Sequence, residues 1–373
     1  VNNVRTSGPL PVPPQVAEAS AQGIISHRSD AFRALLPEVL DGLRPFFGTR
    51  APILPFTCSG TGGMEAAVVN CLAPGDRVLA VSAGHFGDRF AEVARCYGAD
   101  VTVHQVPWGT APTAADVAEA LRAAGPVRAV LLTHNETSTG VLAPLRELCV
   151  AIRESSDALI LVDGVSSVGA ARFDMDDWGV DVAVTVTQKA LMAQPGLSLI
   201  ATSRRALRVA HEGGQRRYYF DFPRMAAAVE EGTTTYTPAV AVLQGLRAAV
   251  GMLRAEGPER VFERHRAAAG TLRQSLLELG MTPAADAWCA SPTVTAVHLP
   301  DGVGASGVRR ALEREHGILV ASGRSAWKEN TVRIGHMGAF HAAEIEDTVA
   351  ALGRVLGTTA FPRREVQAPG GHA

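Results

Sequence analysis

DVAVTVTQKALMAQPGLSLIATS, residues 181–203, is the stretch from which the rest of the chain can be read. Val182 to Thr187 is a β-branched run interrupted only by Ala183, the composition of a buried strand. Pro195-Gly196 then forces a turn before a second apolar run, Leu197 to Ala201. Lys189 sits at the hinge between the two runs. The chain carries 35 lysines and arginines, of which only Lys189 and Lys328 are lysines. Arginine stays protonated and forms no imine, whereas a lysine against apolar surface loses its proton readily and serves as a nucleophile or Schiff-base amine. The competing reading of Lys189 alone is a strand-end lysine that snorkels to water.

With 373 residues and 47% hydrophobic content, the chain is long enough to bury a sizeable core in two or three domains. A formal net charge of −2 gives no electrostatic basis for binding nucleic acid or an anionic membrane surface. The five cysteines, Cys58, Cys71, Cys96, Cys149 and Cys289, are odd in number and form no Cys-x-x-Cys pair. That pattern fits a reducing compartment and neither a disulfide framework nor a zinc site. No apolar run reaches the roughly eighteen residues of a membrane span, so the expectation is a soluble, cytoplasmic protein.

Working outward, residues 1–16 form a Pro-rich arm, expected to be neither helix nor central strand. The apolar spacing predicts a helix over Ala31–Phe47 with Asp30 as its N-cap, then a strand over Ile53–Thr57. Next come Ser59, Gly60, Thr61, Gly62 and Gly63, leading into a helix over Met64–Leu72. Strand, glycine turn and helix N-terminus together make a ready anion site; the alternative is a tight turn without a ligand. Neither a Walker loop nor a dinucleotide fingerprint has this spacing. From here strand and helix alternate as a parallel sheet requires: strands at Asp76–Val81, Asp100–Val106, Val127–Thr133 and Leu159–Val162, and helices at Arg89–Tyr97, Thr113–Ala124 and Leu145–Ser155, with Gly84–Asp88 read as a loop. Beyond Pro238, helices are expected over Ala239–Ala255 and Glu259–Leu279. A small α/β domain follows, with strands Thr293–Leu299 and Thr331–Gly335 and helices Ser306–His316 and Ala342–Leu356. These readings divide the chain into an arm (1–16), a large domain (17–255), a small domain (256–357) and a tail (358–373) rich in Pro, Gly and charge.

Polar groups fall at the C-terminal ends of the strands, where such sheets bind ligands: the run from His134 to Gly140, then Asp163, then Gln188-Lys189. Asp163 closes a four-residue apolar run, so its carboxylate is expected to be buried and to need a partner; the alternative is an acid that caps the following turn. An anion cup, a buried acid and an imine-forming lysine are all satisfied by one ligand, a phosphorylated pyridine aldehyde.

The ordered blocks SGPLPVPPQV, SHR, CSGTGGMEAAVVNCLAPGDRVL, GHFGDR, VPWG, THNETSTGVLAPL, LVDGVSSVGA, TQKALMAQPGLSLI, TTTYTPAV and TVRIGHMG run over nearly the whole chain. In them the sequence resembles the class V aminotransferases of fold type I, and within these the alanine–glyoxylate and serine–pyruvate group. The resemblance implies an α/β fold with a mostly parallel seven-stranded sheet in the large domain and a smaller C-terminal α/β domain. It also implies pyridoxal 5'-phosphate joined to Lys189, with Asp163 on the pyridine nitrogen, Phe86 stacked on the ring and Thr137 on the phenolic oxygen. Gln188 and the Ser59–Gly63 turn would hold the phosphate. Further implications are a homodimer whose active site lies between subunits, with Tyr236 and Thr237 reaching the neighbour's phosphate, Arg333 holding the substrate's α-carboxylate, and His27 and Arg28 near the substrate.

The activity implied is ping-pong transfer of an amino group from a small 2-amino acid of alanine or serine type to a 2-oxo acid of glyoxylate or pyruvate type. Alternatives on the same scaffold are an aminotransferase for an unusual amine and a lyase, decarboxylase or epimerase. A cofactor-binding regulator lacks support, because no DNA-binding module precedes residue 17. A sulfur-mobilising relative would need a cysteine in a mobile loop, and Cys289, in a Trp-Cys-Ala context, reads as core. The sequence departs from the family pattern at Phe86, where some relatives carry tryptophan, at Leu10, where many have a second glycine, and at Gln194, where proline is frequent.

Overall fold

The computed structural model describes residues 3–213 and 215–357; the tail from 358 lies outside them. In chain order the first half contains β1 (Asn3–Arg5), α1 (Pro14–Ser20), α2 (Asp30–Phe47), β2 (Ile53–Phe56), α3 (Gly60–Cys71), β3 (Arg77–Ser82), α4 (His85–Cys96), β4 (Asp100–Gln105), α5 (Ala114–Ala124), β5 (Ala129–Thr133), the short pair β6 (Asn135–Glu136) and β7 (Val141–Leu142), α6 (Leu145–Ser155), β8 (Leu159–Asp163) and α7 (Met175–Trp178). The second half contains β9 (Val182–Val186), β10 (Ser198–Thr202), α8 (Arg204–Glu212), α9 (Phe222–Glu230), α10 (Val240–Glu256), α11 (Pro258–Glu278), β11 (Thr282–Pro283), β12 (Val294–His298), α12 (Ala305–His316), β13 (Ile318–Ser322), β14 (Thr331–Gly335) and α13 (Ala342–Gly357).

Seven strands form one sheet in the order β2-β10-β9-β8-β5-β3-β4. All neighbours are parallel except β10, which runs antiparallel to both β9 and β2. The Pro195-Gly196 turn explains the reversal, because so short a connection returns the chain beside β9 in the opposite sense. β5, β8, β9 and β10 are buried along their whole length, as strands covered on both faces must be. Alternation divides their side chains between two layers. Ile160 and Val162 of β8 join a core with α2, α5, α6 and α10, while Leu159 and Leu161 join one with α3, α4, α8 and α9. Gly63 permits the close approach of α3 to this sheet: a Cβ there would stand 2.1 Å from Ser198 Oγ.

A five-stranded sheet, β1-β13-β14-β12-β11, packs with α11, α12 and α13 around Leu272, Leu312, Val332, Ile334 and Leu352. β1 was not anticipated. It pairs parallel with β13 in the register Asn3↔Ile318, and its buried Arg5 meets Glu344 at 3.3 Å. The prolines do keep residues 9–13 out of regular structure, but helix α1 begins at Pro14, inside the expected arm, because a proline is well accommodated in the first helical turn.

Three other boundaries shift for local reasons. Ser29 caps α2, accepting from Phe32 N–H, so Asp30 is the first helical residue instead of the cap. The glycines of 60–63 are the first turn of α3, capped by Ser59, and do not form a loop before it. Likewise His85–Asp88 open α4, because Glu136 accepts the Phe86 and Gly87 N–H groups that a first helical turn leaves free.

Candidate active site

Asp163 ends β8 with only 5% of its surface exposed, and its Oδ1 accepts one bond, from Val165 N–H at 2.9 Å. Burial pushes its carboxyl up to about 6, against the pull of the Val165 N–H; Glu136 adds to the rise and Lys189 opposes it. Lys189 lies in the turn after β9. Burial lowers its amine to about 8, with Asp163 favouring the charged form and Arg333 opposing it. The turn is rigidly held: Thr187 Oγ1 donates to Gln194 O at 2.6 Å, Ala193 N to Thr187 O at 2.9 Å, and Met192, at φ 57°, donates to Lys189 O at 3.0 Å.

The N-terminal segment covers this lysine. Lys189 Nζ donates to Ser7 O, and a Cβ on Gly8 would stand 2.6–2.8 Å from the lysine's side-chain atoms, so only glycine admits the approach. Ser7 also touches Arg333, whose Nη1 donates to Ser7 Oγ at 3.2 Å and to Thr137 O at 2.9 Å, while Nε donates to Ser322 O at 2.7 Å. Arg333 is therefore no surface arginine: it is 3% exposed, and burial lowers its pKa to about 10, with Arg324 adding to the effect.

Ser59 Oγ accepts from Gly62 N–H at 3.4 Å. The N-terminus of α3 thus presents the first-turn N–H groups of Gly60 and Thr61 beside the Ser59 and Thr61 hydroxyls, the donor set an anion requires. Gln188, next to Lys189, buries an amide oxygen without a partner among the described residues. Phe86 stands in the first turn of α4 with the Arg89 guanidinium 4.9 Å over its ring.

Sequence reasoning missed Glu136. It is 1% exposed, and its carboxylate accepts from the N–H groups of Phe86, Gly87 and Ser138 and from Ser138 Oγ, tying α4 to the β6–β7 turn. Burial raises its pKa despite these donors. An acid inside the polar run 134–140 that closes an apolar strand was the available signal. Ser7 was missed too, for want of any local pattern that ties residue 7 to residue 333.

The structure does not bring every expected residue to Lys189. Tyr236 and Thr237 lie on the surface of the chain, Thr237 exposed, and Tyr236 stacks on Tyr219 at 5.2 Å and donates to Tyr218 O at 3.0 Å. His27 and Arg28 precede α2. His27 O accepts from Thr233 Oγ1 at 3.1 Å, Arg28 is exposed, and neither contacts Lys189, Asp163 or Arg333 among the described residues. Cys289 is 3% exposed in a small apolar cluster with Ala111 and Val141. A cavity of about 630 Å³ lies at the other end of the strands, by the starts of β5 and β8, lined by Arg122, Arg128 and Arg205 without lysine or cysteine. The reactive groups converge instead at the C-terminal ends of β8 and β9.

The family model for aminotransferase class V matches residues 17–347. The chain is 34% identical to the L-aspartate–glyoxylate aminotransferase of Paracoccus denitrificans, covering 97% of this chain and 92% of that one. It is also 34% identical to the soluble hydrogenase 42 kDa subunit of Anabaena cylindrica, over 94% of this chain and 91% of the relative. Among solved structures, the alanine–glyoxylate aminotransferase of Nostoc sp. superimposes with a TM-score of 0.91 at 31% identity, covering 95% of this chain and 96% of the other. With the family match spanning nearly the whole chain and the lysine, buried acid and anion cup gathered at one end of its seven-stranded sheet, the chain belongs to the class V aminotransferases.

Proposed function

We propose that the protein transfers an amino group from a small 2-amino acid of alanine or serine type to a 2-oxo acid of glyoxylate or pyruvate type, with pyridoxal 5'-phosphate as cofactor. The observation that carries this reading is the pairing, at adjacent strand ends, of a half-buried lysine whose amine is lowered to about 8 with a buried acid raised to about 6.

The residues fit the cofactor. Asp163 has a single hydrogen bond where a buried carboxylate accommodates more, and Gln188 holds an unpartnered amide that can turn either its oxygen or its nitrogen to a ligand. The first turn of α3 supplies the donors a phosphate needs. Family membership implies the same group. When bound, it supplies an electron sink for bonds at the substrate's α-carbon.

The chain's own residues then divide the work. Lys189, half deprotonated near pH 8, is the amine that holds the cofactor and, once freed, the base that moves the α-proton. Asp163 would face the protonated ring nitrogen, and that charge favours its ionised form. Phe86, its far side fixed by Arg89, would give the ring a flat apolar support, and Thr137 would bond the phenolic oxygen. Arg333, held by Ser7, Thr137 and Ser322, binds the substrate's carboxylate. The Ser7-Gly8 segment over Lys189 keeps water from the reacting amine.

We place the active site between two copies of the chain. Exposed Thr237, backed by the Tyr236–Tyr219 stack, is assigned to the partner's phosphate, and His27 and Arg28, tied to the same segment through Thr233, to the partner's substrate end. Large and small domains are divided at Gly257, between α10 and α11, each with its own sheet and core. The five cysteines are all free, in keeping with a cytoplasmic location, and among the described residues no helix is long and apolar enough to cross a membrane.

An absorbance spectrum from about 300 to 500 nm, before and after L-alanine or L-serine, tests the function. The expected result is a cofactor band that is lost in Lys189→Ala and converted to the aminated form by one donor. A band that no amine converts, giving way instead to a cleavage or racemisation product, overturns the aminotransferase reading in favour of a lyase or epimerase.

A further inference from the structure

Away from Lys189, a crevice of about 450 Å³ opens between helix α11 and the segments around α6 and α7. That size is in the range of small-molecule sites, which favour the seams between packed units. Alanines keep it open: Ala143, Ala170, Ala171 and Ala290 line it where larger side chains would close the seam. Its apolar walls are aromatic. Phe262 comes from α11, and half-buried Trp178 from the end of α7, where it packs against His134 at 6.0 Å and Phe173 at 5.6 Å. Such surfaces hold flat rings by offset or edge-on packing.

The crevice also holds a cation without a counter-charge. Arg273, on α11, is half-buried, and its side chain donates from Nη1 to Ser291 O at 3.0 Å. No acid pairs with it among the described residues, and burial lowers its pKa with no carboxylate to oppose the fall. A guanidinium taken out of water in this way is costly unless an anion meets it. The two acids in the lining do not serve: Glu259 is engaged by Arg172 at 3.1 Å, and Glu147 is exposed at the rim. Arg266 pairs with Glu263, outside the lining, and exposed Arg146 adds a further positive charge.

His134 is a second unmet group. It lines the crevice, is 3% exposed, and its Nδ1 has no partner among the described residues. Burial keeps the ring neutral by lowering its pKa to about 3. Its backbone joins the reactive end of the sheet, because His134 N donates to Asp163 O at 3.0 Å and Ala143 N to His134 O at 2.8 Å. The crevice wall is thus one hydrogen bond from the strand end that carries Asp163.

We propose that this crevice is a binding site for a small aromatic carboxylate, with the carboxylate on Arg273 and the ring against Trp178 and Phe262. The carboxylate is the anion that the unpaired guanidinium lacks, and arginine offers it a planar pair of donors. The flat ring suits a slot with aromatic walls and an alanine floor. Its occupant ties α11 to α7, and so to the sheet that bears the reactive lysine. The site is separate from that of the amino donor, whose carboxylate goes to Arg333, and it does not depend on which reaction Lys189 performs.

The probe is benzoate, titrated calorimetrically into the cofactor-loaded full chain carrying Arg333→Gln, so that the substrate clamp does not compete. Saturable binding is expected. Adding Arg273→Gln should weaken it at least about tenfold, adding Arg273→Lys by less, and neutral benzamide should not distinguish the three proteins. Absence of saturable binding, which leaves a seam filled by water alone, overturns the proposal, as does benzoate affinity indifferent to Arg273→Gln. A second measurement needs neither arginine variant. In the wild-type holoenzyme 4-bromobenzoate should quench tryptophan fluorescence saturably through its bromine, and Trp178→Phe should remove the greater part of that quenching. Quenching undiminished in Trp178→Phe places the ligand elsewhere and overturns the proposal. Turnover enters neither readout, so a chain that binds benzoate here while no amine converts its cofactor refutes the aminotransferase reading alone.

Discussion

Asp163 and Asp181 lie at opposite ends of the strands of one sheet, Asp163 ending β8 and Asp181 preceding β9, and are nearly equally buried, at 5% and 3% exposure. Their surroundings are opposite. Asp181 accepts from Arg153 at 2.6 Å, from Ile160 N–H at 2.9 Å and from Ser203 Oγ at 2.9 Å, with Arg205 at 3.8 Å. Asp163 has one backbone N–H and a neighbouring acid. At one end of the strands the fold satisfies its buried charge. At the other it leaves the charge unsatisfied and so keeps a place for a ligand. A buried carboxylate is thus read as structural or functional by its partners and not by its burial.

Substitutions at the two ends sharpen or break this contrast. The largest effect is expected outside the pair, for Lys189→Ala, which removes the amine Asp163 faces and should lower turnover on the order of 10⁴-fold or more while the chain still folds, as checked by single-turnover kinetics and circular dichroism. Asp163→Asn should lower kcat/KM by roughly 10²- to 10³-fold. The same change should stabilise the cofactor-free protein. A carboxyl raised to about 6 in the fold, against 3.8 unfolded, makes the native state bind its proton more tightly, so stability falls as pH rises from about 4 through 6 and remains reduced at pH 7. Asparagine carries no such charge, and a gain of about 1–3 kcal/mol in denaturant unfolding at pH 7 is expected, absent at pH 4.

Asp181→Ala should do the reverse, costing about 3–5 kcal/mol by leaving Arg153 and its neighbours unpaired, with kcat per folded molecule little changed. If Asp163→Asn destabilises and Asp181→Ala does not, the contrast is wrong. A finer effect concerns pH. With the Lys189 amine lowered to about 8, the fraction able to capture an aldehyde rises about tenfold per unit below pH 8 and levels above it, which borohydride trapping of cofactor-free protein with pyridoxal would follow. A profile still rising at pH 10 would mean an unperturbed lysine. Smallest is Thr237→Ala, expected to weaken cofactor affinity by roughly fivefold through loss of one exposed contact, measured by equilibrium dialysis.

Much of the reactive end was legible in advance because its signals are local. A β-branched run that stops at Gln188-Lys189 and an apolar run that stops at Asp163 mark where side chains leave the core. A glycine cluster between strand and helix marks an anion cup. The 3.6-residue spacing in α2 and α6 and the alternation in β12 come from the same kind of pattern. What escaped was non-local or depended on competition between neighbours. Whether Ser29 or Asp30 caps α2 turns on which side chain can reach the Phe32 N–H, and whether 85–88 is loop or helix turns on Glu136, some fifty residues later. β1 is only three residues long and pairs with residues beyond 317, so it has no periodicity to read. Ser7 meets Arg333 across 326 residues, and nothing in its own neighbourhood announces it.

The pairing of β1 with β13 also orders events during synthesis. A strand at residues 3–5 finds its partner only when residues 318–320 have emerged, so on the ribosome β1 is made some three hundred residues before the strand on which it docks. Until then neither Ser7 contact can form, and Lys189 remains uncovered while α2 through β10 are already able to pack. The nascent chain therefore passes through a stage in which its reactive amine faces the surrounding solution, and that stage ends when β1 meets β13.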